Sequence, residues 1–287
     1  MSSIYKSKYS KWTTFITAAF VFAAFAPSGA EARRKRRKRP AATAPARQVN
    51  TKALQELMGA FKFGMSKDRV VKVLKTQLDE RYKAKIRGMS DVYGQDALRR
   101  EKVKKVKEVQ ASYTEFKGRK TGWDVSIIDD QFGHKSGESM LVYWEQNSSG
   151  ANQRRFFFFH GGSLYKMFIV LDSKMLPVGK RNFATFKTLM SARYGDGKVV
   201  APTKRSSALI DWATPDIHVQ AIDKISFYGS FCLMISNPSV EAMVMTDRDG
   251  VRVAKKSNSI TDSMIAGEND LPPSLDTNSN AVESALK

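Results

Sequence analysis

From Ser66 the apolar residues Val70, Val71, Leu74 and Leu78 recur on one face of a helix. Ser66 is placed to accept a free backbone N–H of the first turn, and Asp68 complements the positive helix end. Just before it, Phe61 and Phe63 alternate toward a core and Gly64 turns the chain. A second helix is predicted over about 95–116, with Leu98, Val106, Val109, Tyr113 and Phe116 as its stripe and Val103 beside it. After Gly122 the period shortens. Ser139–Gln146, Arg155–His160 and Leu164–Asp172 are rich in aromatic and branched residues and read as strands. Gly161 and Gly162 supply the positive φ that a two-residue hairpin demands. Leu164–Asp172 is apolar on both faces, which predicts a central strand covered on both sides. Arg181–Tyr194 returns to a helical period, stopped at Gly195, and three strands follow near 208–213, 218–224 and 230–236.

These elements predict an α+β fold. The helix–βββ order occurs at 66–172, with a long helical insertion, and again at 181–236. Two readings stay open: one antiparallel sheet with helices packed on one face, or two tandem helix–βββ units over 50–176 and 177–254.

The ends of the chain differ in kind. Lys6, Lys8 and Lys11 precede the apolar stretch 13–27, and Ala30 and Ala32 follow at signal-peptidase spacing. That stretch is shorter than the roughly 20 residues of a spanning helix, so residues 1–32 read as a cleavable signal peptide. A retained N-terminal anchor is the alternative, because the run that follows is strongly cationic and positive flanks resist translocation. No cysteine lies near the cleavage site, so lipoprotein-type anchoring is not expected. Residues 33–49 read as a basic and then Ala/Pro-rich linker, and 255–287 as a Ser/Asn/Asp-rich disordered tail.

Charge sharpens the picture. The net charge is +20, yet acidic and basic residues balance from residue 121 onward. The basicity therefore belongs to the run Arg33, Arg34, Lys35, Arg36, Arg37, Lys38 and Arg39, and to the second helix with Arg99, Arg100, Lys104 and Lys105. Both are candidates for contact with polyanions such as acidic lipid head groups or polysaccharide. Nucleic acid is not the expected partner, because the aromatic strands that would stack on bases lie in the neutral half.

Catalytic patterns are thin. His134, His160 and His218 share no metal-binding spacing, and the single Cys232 sits in an apolar run, so no metal and no cofactor are expected. Ser163 and Lys166 match S-x-x-K, but on a strand, where the two side chains lie about 10 Å apart. His160-Gly161-Gly162 has no accompanying G-x-S-x-G. Asp247-Arg248-Asp249-Gly250 reads as a turn, and Asp129 and Asp130 as adjacent strand residues facing opposite ways.

Gly64-Met65-Ser66 with Val70 and Leu74, followed by an aromatic β-meander, resembles the SmpA/OmlA group of outer-membrane assembly lipoproteins. It also resembles the related β-lactamase-inhibitor-like fold, in which such units occur in tandem. The resemblance covers about 66–172. It implies helices on an antiparallel sheet and non-catalytic binding of proteins or envelope components. The chain departs from that group by lacking the lipid-anchoring cysteine, and by carrying Leu74-Lys75-Thr76-Gln77 where a Leu-Gly-x-Pro is usual. The expected function is a non-enzymatic exported protein, periplasmic or envelope-associated, that binds a protein or cell-wall component. Polyanion or membrane-surface binding is the alternative, and an enzyme with an unrecognised site the third reading.

Overall fold

The computed structural model describes residues 48–146, 152–204 and 206–257. The signal-type segment, the Arg33–Arg39 run and the tail beyond residue 257 lie outside them.

Two short N-terminal events set the frame. Asn50 caps α1 (Thr51–Glu56) by accepting from Ala53 N–H, and its own N–H donates to Tyr194 O at 2.9 Å. Ser66 caps α2 (Lys67–Arg87), with Asp68 in the first turn as expected. Gly64, at φ 82°, makes the turn between Phe61, whose ring lies 4.8 Å from that of Phe157, and the Ser66 cap. α3 (Val92–Ala111) starts earlier than its apolar stripe suggests, because the Asp91 carboxylate accepts from Tyr93 N–H and Gly94 N–H. It also ends earlier. The Ser112 hydroxyl has Val109 O and Val142 O within reach of its one hydrogen and accepts from Val142 N–H, which steers the chain into β1 (Thr114–Glu115). Phe116, expected on the helical stripe, therefore lies beyond the helix and packs elsewhere.

The sheet has eight antiparallel strands in the order β1-β2-β3-β4-β8-β7-β6-β5. β2 (Glu138–Gln146), β3 (Asn152–His160) and β4 (Ser163–Asp172) form the first meander with β1. β5 (Lys198–Val200), β6 (Leu209–Ala213), β7 (His218–Lys224) and β8 (Ser230–Ser236) form the second, with the short α5 (Ile225–Tyr228) between β7 and β8. Each meander follows helices: α2 and α3 the first, α4 (Phe183–Tyr194) the second. The last strands of the two meanders pair, Lys166 opposite Ser236 through Asp172 opposite Ser230, so the repeated order closes into one continuous sheet.

The run of four phenylalanines in β3 shows why both faces of the sheet are dry. Phe157 and Phe159 join Leu141, Met167, Leu233 and Trp212 beneath α1 to α4. Phe156 and Phe158 join Phe168, Cys232 and Met234 on the opposite face. That second face is covered by Phe116, Ile127, Ile128 and Phe132 of the β1–β2 connection, and by Val244 of α6 (Pro238–Ser257). Helices therefore pack on the antiparallel sheet, with the expected layer on one face and a further C-terminal helix on the other. Asp247-Arg248-Asp249-Gly250, expected as a turn, belongs to that helix. Asp129 and Asp130 lie in the irregular connection rather than on a strand.

Gly195 is the position where backbone approach is tightest. It has φ 85°, and a Cβ there would meet Gln48 O at 2.1 Å. Gly195→Ala is expected to cost more than about 2 kcal/mol, from strain at positive φ and displacement of the N-terminal strap. Gly122, with open space around it, is the control: Gly122→Ala should stay within about 0.5 kcal/mol. Urea denaturation of both variants checks the difference.

Candidate functional site

α2 and α3 form a helical hairpin whose root is fixed and whose far half is not. At the root, Arg81 donates to the Tyr143 hydroxyl at 3.2 Å and pairs with Glu145 at 2.7 Å, which ties α2 to the sheet. Tyr82 is buried and donates to Glu101 at 2.7 Å, and Lys102 reaches back to Asp79 at 2.8 Å, so the two helices are sewn together. From Lys83 to Ala97 no residue is buried. The hairpin turn is nevertheless shaped, since Gln95 donates its amide to Met89 O at 2.9 Å.

α3 sorts its charges by face. Lys102 faces α2, and Lys105 turns to Glu108 at 3.1 Å. Arg99, Arg100, Lys104 and Lys107 line a shallow outward groove with Val103, Glu108 and Ala111. Arg100 pairs with Asp96 at 3.2 Å, and Arg99 bonds only the Gln95 amide at 3.3 Å. Lys104 and Lys107 make no ion pair among the described residues. Of the four helical cations singled out from sequence, the structure brings Arg99, Arg100 and Lys104 together and sets Lys105 on another face. Lys107 completes the outward group. The seven cations Arg33 to Arg39 lie outside the described residues.

The other concentration of chemistry is under α6. Glu138 on β2 is 3 % exposed and accepts from Arg248 Nε and Nη2 at 2.7 and 2.6 Å, the Tyr165 hydroxyl at 2.6 Å, the Ser136 hydroxyl at 2.7 Å and Gly133 N–H at 2.8 Å. Tyr165 reaches it because β3 and β4 slip register beside Phe158 and Phe159. The slip leaves Tyr165 unpaired between Leu164 and Lys166 and turns it to the same side as Lys166. Burial alone would raise the Glu138 carboxyl, but the Arg248 guanidinium, helped by Tyr165 and Ser136, holds it below the usual range. Burial, and then the neighbouring Glu138 charge, pushes the Tyr165 phenol well up.

Lys166 is also buried, over the Phe158 ring, and donates to Gln131 O, which Arg248 Nη2 also reaches. Burial, and then the positive charge of Arg248, brings its ammonium down to about 8. In the register next to it stand Ser236 and His218. His218 lies between two carboxylates, Nε2 at 2.7 Å from Asp211 and Nδ1 at 2.8 Å from Glu241 of α6. The bond to Glu241 outweighs the cost of burial, Asp211 adds to it, and the imidazole rises to about 9. As an imidazolium its two N–H groups both donate, so it has no lone pair with which to accept a proton. Ser236 is fully buried and directs its hydroxyl at Glu241, 2.6 Å away.

Sequence spacing did not foresee that all three histidines would pair with acids: His134 with Asp124 at 2.7 Å, His160 with Asp247 at 3.0 Å, and His218 as above. Ser163 and Lys166 stay apart on β4 as the strand geometry requires, and the hydroxyl beside Lys166 is that of Ser236. Cys232 is buried, as its apolar run predicts. Glu138, Arg248 and Glu241 were missed because each is unremarkable locally and their partners lie far along the chain. The one usable signal was Glu138, a charged residue opening an otherwise apolar strand. No protein-family model, no curated protein and no solved structure matches this chain.

The His218 cluster has a pH signature. Its folded value of about 9 lies above the ordinary 6.5, so the stabilisation is complete below pH 6.5 and is lost as pH rises through about 9. Lys166, depressed to about 8, acts in the opposite sense, and stability recovers between about 8 and 10.5. The stability difference between wild type and His218→Gln isolates the histidine. It should shrink by on the order of 2–3 kcal/mol from pH 6 to pH 9.5, measured by denaturant titration at each pH.

Proposed function

We propose that this protein is an exported, non-catalytic binding module of the cell envelope that engages a polyanionic partner. The contact is the outward face of α3, acting with the Arg33–Arg39 run. One observation carries this reading: Arg99, Arg100, Lys104 and Lys107 line one side of α3 over about 12 Å, with Lys104 and Lys107 free of ion pairs among the described residues. Like charges held this close repel each other, and a polyanion relieves that repulsion while releasing its own counterions.

The groups best suited to catalysis are turned inward. Glu138, His218 and Ser236 spend hydrogen bonds on Arg248 and Glu241 of α6, and Lys166 donates to Gln131 O of the β1–β2 connection. The signal-type N-terminus supports export, and the repetition of helix and meander supports kinship with the SmpA/OmlA and β-lactamase-inhibitor-like modules, which bind without catalysing. No helix among the described residues is long and apolar enough to cross a membrane, in keeping with a module that works at a surface.

The test uses the full chain with Arg33–Arg39 replaced by serine, titrated with inorganic polyphosphate at several salt concentrations. The affinity should fall steeply with salt, and R99S/R100S/K104S/K107S should weaken it at least tenfold and flatten the log–log salt slope by roughly 3. Salt-independent binding, or binding indifferent to the four substitutions, contradicts the proposal. Fractionation of cells should find the chain in the envelope, and full-length protein confined to the cytosol would contradict export.

A further inference from the structure

The outward face of α3 is more than a row of cations. Val92 is 70 %, Tyr93 87 % and Val103 51 % exposed, three large apolar side chains on a helix that has a core available to it. Val92 and Val103 are eleven residues apart in the sequence, so at 3.6 residues per turn they fall within about 20° of each other around the axis. Arg99 falls within a similar angle of Val92, with Tyr93, Arg100 and Lys107 on the same half of the helix and Lys104 at its border. Val103 lies in the groove between the cations. Asp96, in this half, is engaged by Arg100, and Glu108, which also lines the groove, is engaged by Lys105. Met89, at 36 % exposure, sits at the hairpin turn close against Gly94, and Lys83, Lys85 and Arg87 are exposed in the last turns of α2.

Apolar and cationic residues interleaved on one exposed helix face match a single environment: the anionic head-group layer of a lipid bilayer. There Val and Tyr side chains leave water, while Lys and Arg extend their stems to phosphate oxygens. A soluble acidic polymer satisfies the charges but leaves Val92, Tyr93 and Val103 in water. The hairpin suits the task mechanically, because its root is tied by Arg81, Tyr82 and Lys102 while Lys83 to Ala97 protrudes with nothing buried. Accordingly, we propose that α3 lies flat on an anionic lipid surface, with Tyr93, Val92 and Val103 in the interface and Arg99, Arg100, Lys104 and Lys107 on the phosphates. This rests on the polyanion reading above and names the partner of the same face.

The test places an environment-sensitive fluorophore on the Y93C and V103C variants of the full chain. Cys232 is buried and does not compete, since burial pushes its thiol well above the ordinary range. K198C, on the exposed β5 edge, is the control. With vesicles containing phosphatidylglycerol, labels on Y93C and V103C should shift to the blue and become accessible to a lipid-borne quencher, while the K198C label should not respond. Phosphatidylcholine vesicles should leave all three unchanged. R99S/R100S/K104S/K107S in the Y93C variant should weaken the response by about fivefold per cation removed.

If vesicles bind but the labels on Y93C and V103C report only water, the lipid proposal is overturned. If polyphosphate binding still depends on the four cations in that case, the polyanion reading stands and the partner is an acidic polymer. Loss of both responses overturns both readings.

Discussion

Glu138 governs the second face of the sheet. A carboxylate removed from water costs several kcal/mol unless other groups replace its hydration, and here the Arg248 fork, Tyr165, Ser136 and the Gly133 N–H do so together. Those partners come from α6, the bulged start of β4 and the β1–β2 connection. One charge thereby fixes the C-terminal helix and the irregular segment that shelters Phe156, Phe158 and Phe168. Glu241 and Arg248 lie two helical turns apart on α6, so the His218 and Glu138 clusters act as two fasteners on one helix face, with Val244 packed between them.

This arrangement separates the chemistry of the chain from its surface. Glu138, Glu241, His218, Lys166 and Tyr165 are hydrogen-bonded in the interior, where breaking a pair strands a buried charge. Lys104 and Lys107, which make no ion pair among the described residues, lie on α3 between the Tyr82–Glu101 bond and the sheet. In the proposed function the protruding hairpin makes the contacts, and the interior holds its root.

Much of the fold was legible because its elements carry strong local patterns. The Ser66 cap, the Gly161-Gly162 turn, the both-faces-apolar β4 and the Gly195 stop each depend on a few neighbouring residues. What escaped notice depends on distant partners. α6 is held by Arg248 and Glu241 as much as by its apolar stripe, so its sequence reads as turn and tail. The end of α3 is decided by a Ser112 hydroxyl bonding to Val142, thirty residues away. For the candidate site, the helical cations were visible as composition, but which of them face outward was not. Lys105 and Lys107 differ only by their position around the axis. Val103 was placed only beside the apolar stripe, and Val92 and Tyr93 fell before the predicted start of the helix.

The central claim is that Glu138 fastens α6 over the sheet and that the α3 face is independent of this fastening. Amide hydrogen exchange on Glu138→Gln, compared with wild type, tests it most directly. Loss of the charge leaves Arg248 unpaired, so protection in α6 should fall sharply while protection along α2 and α3 stays as it was. Unchanged exchange in α6, or a loss spread equally through α2 and α3, would contradict the account.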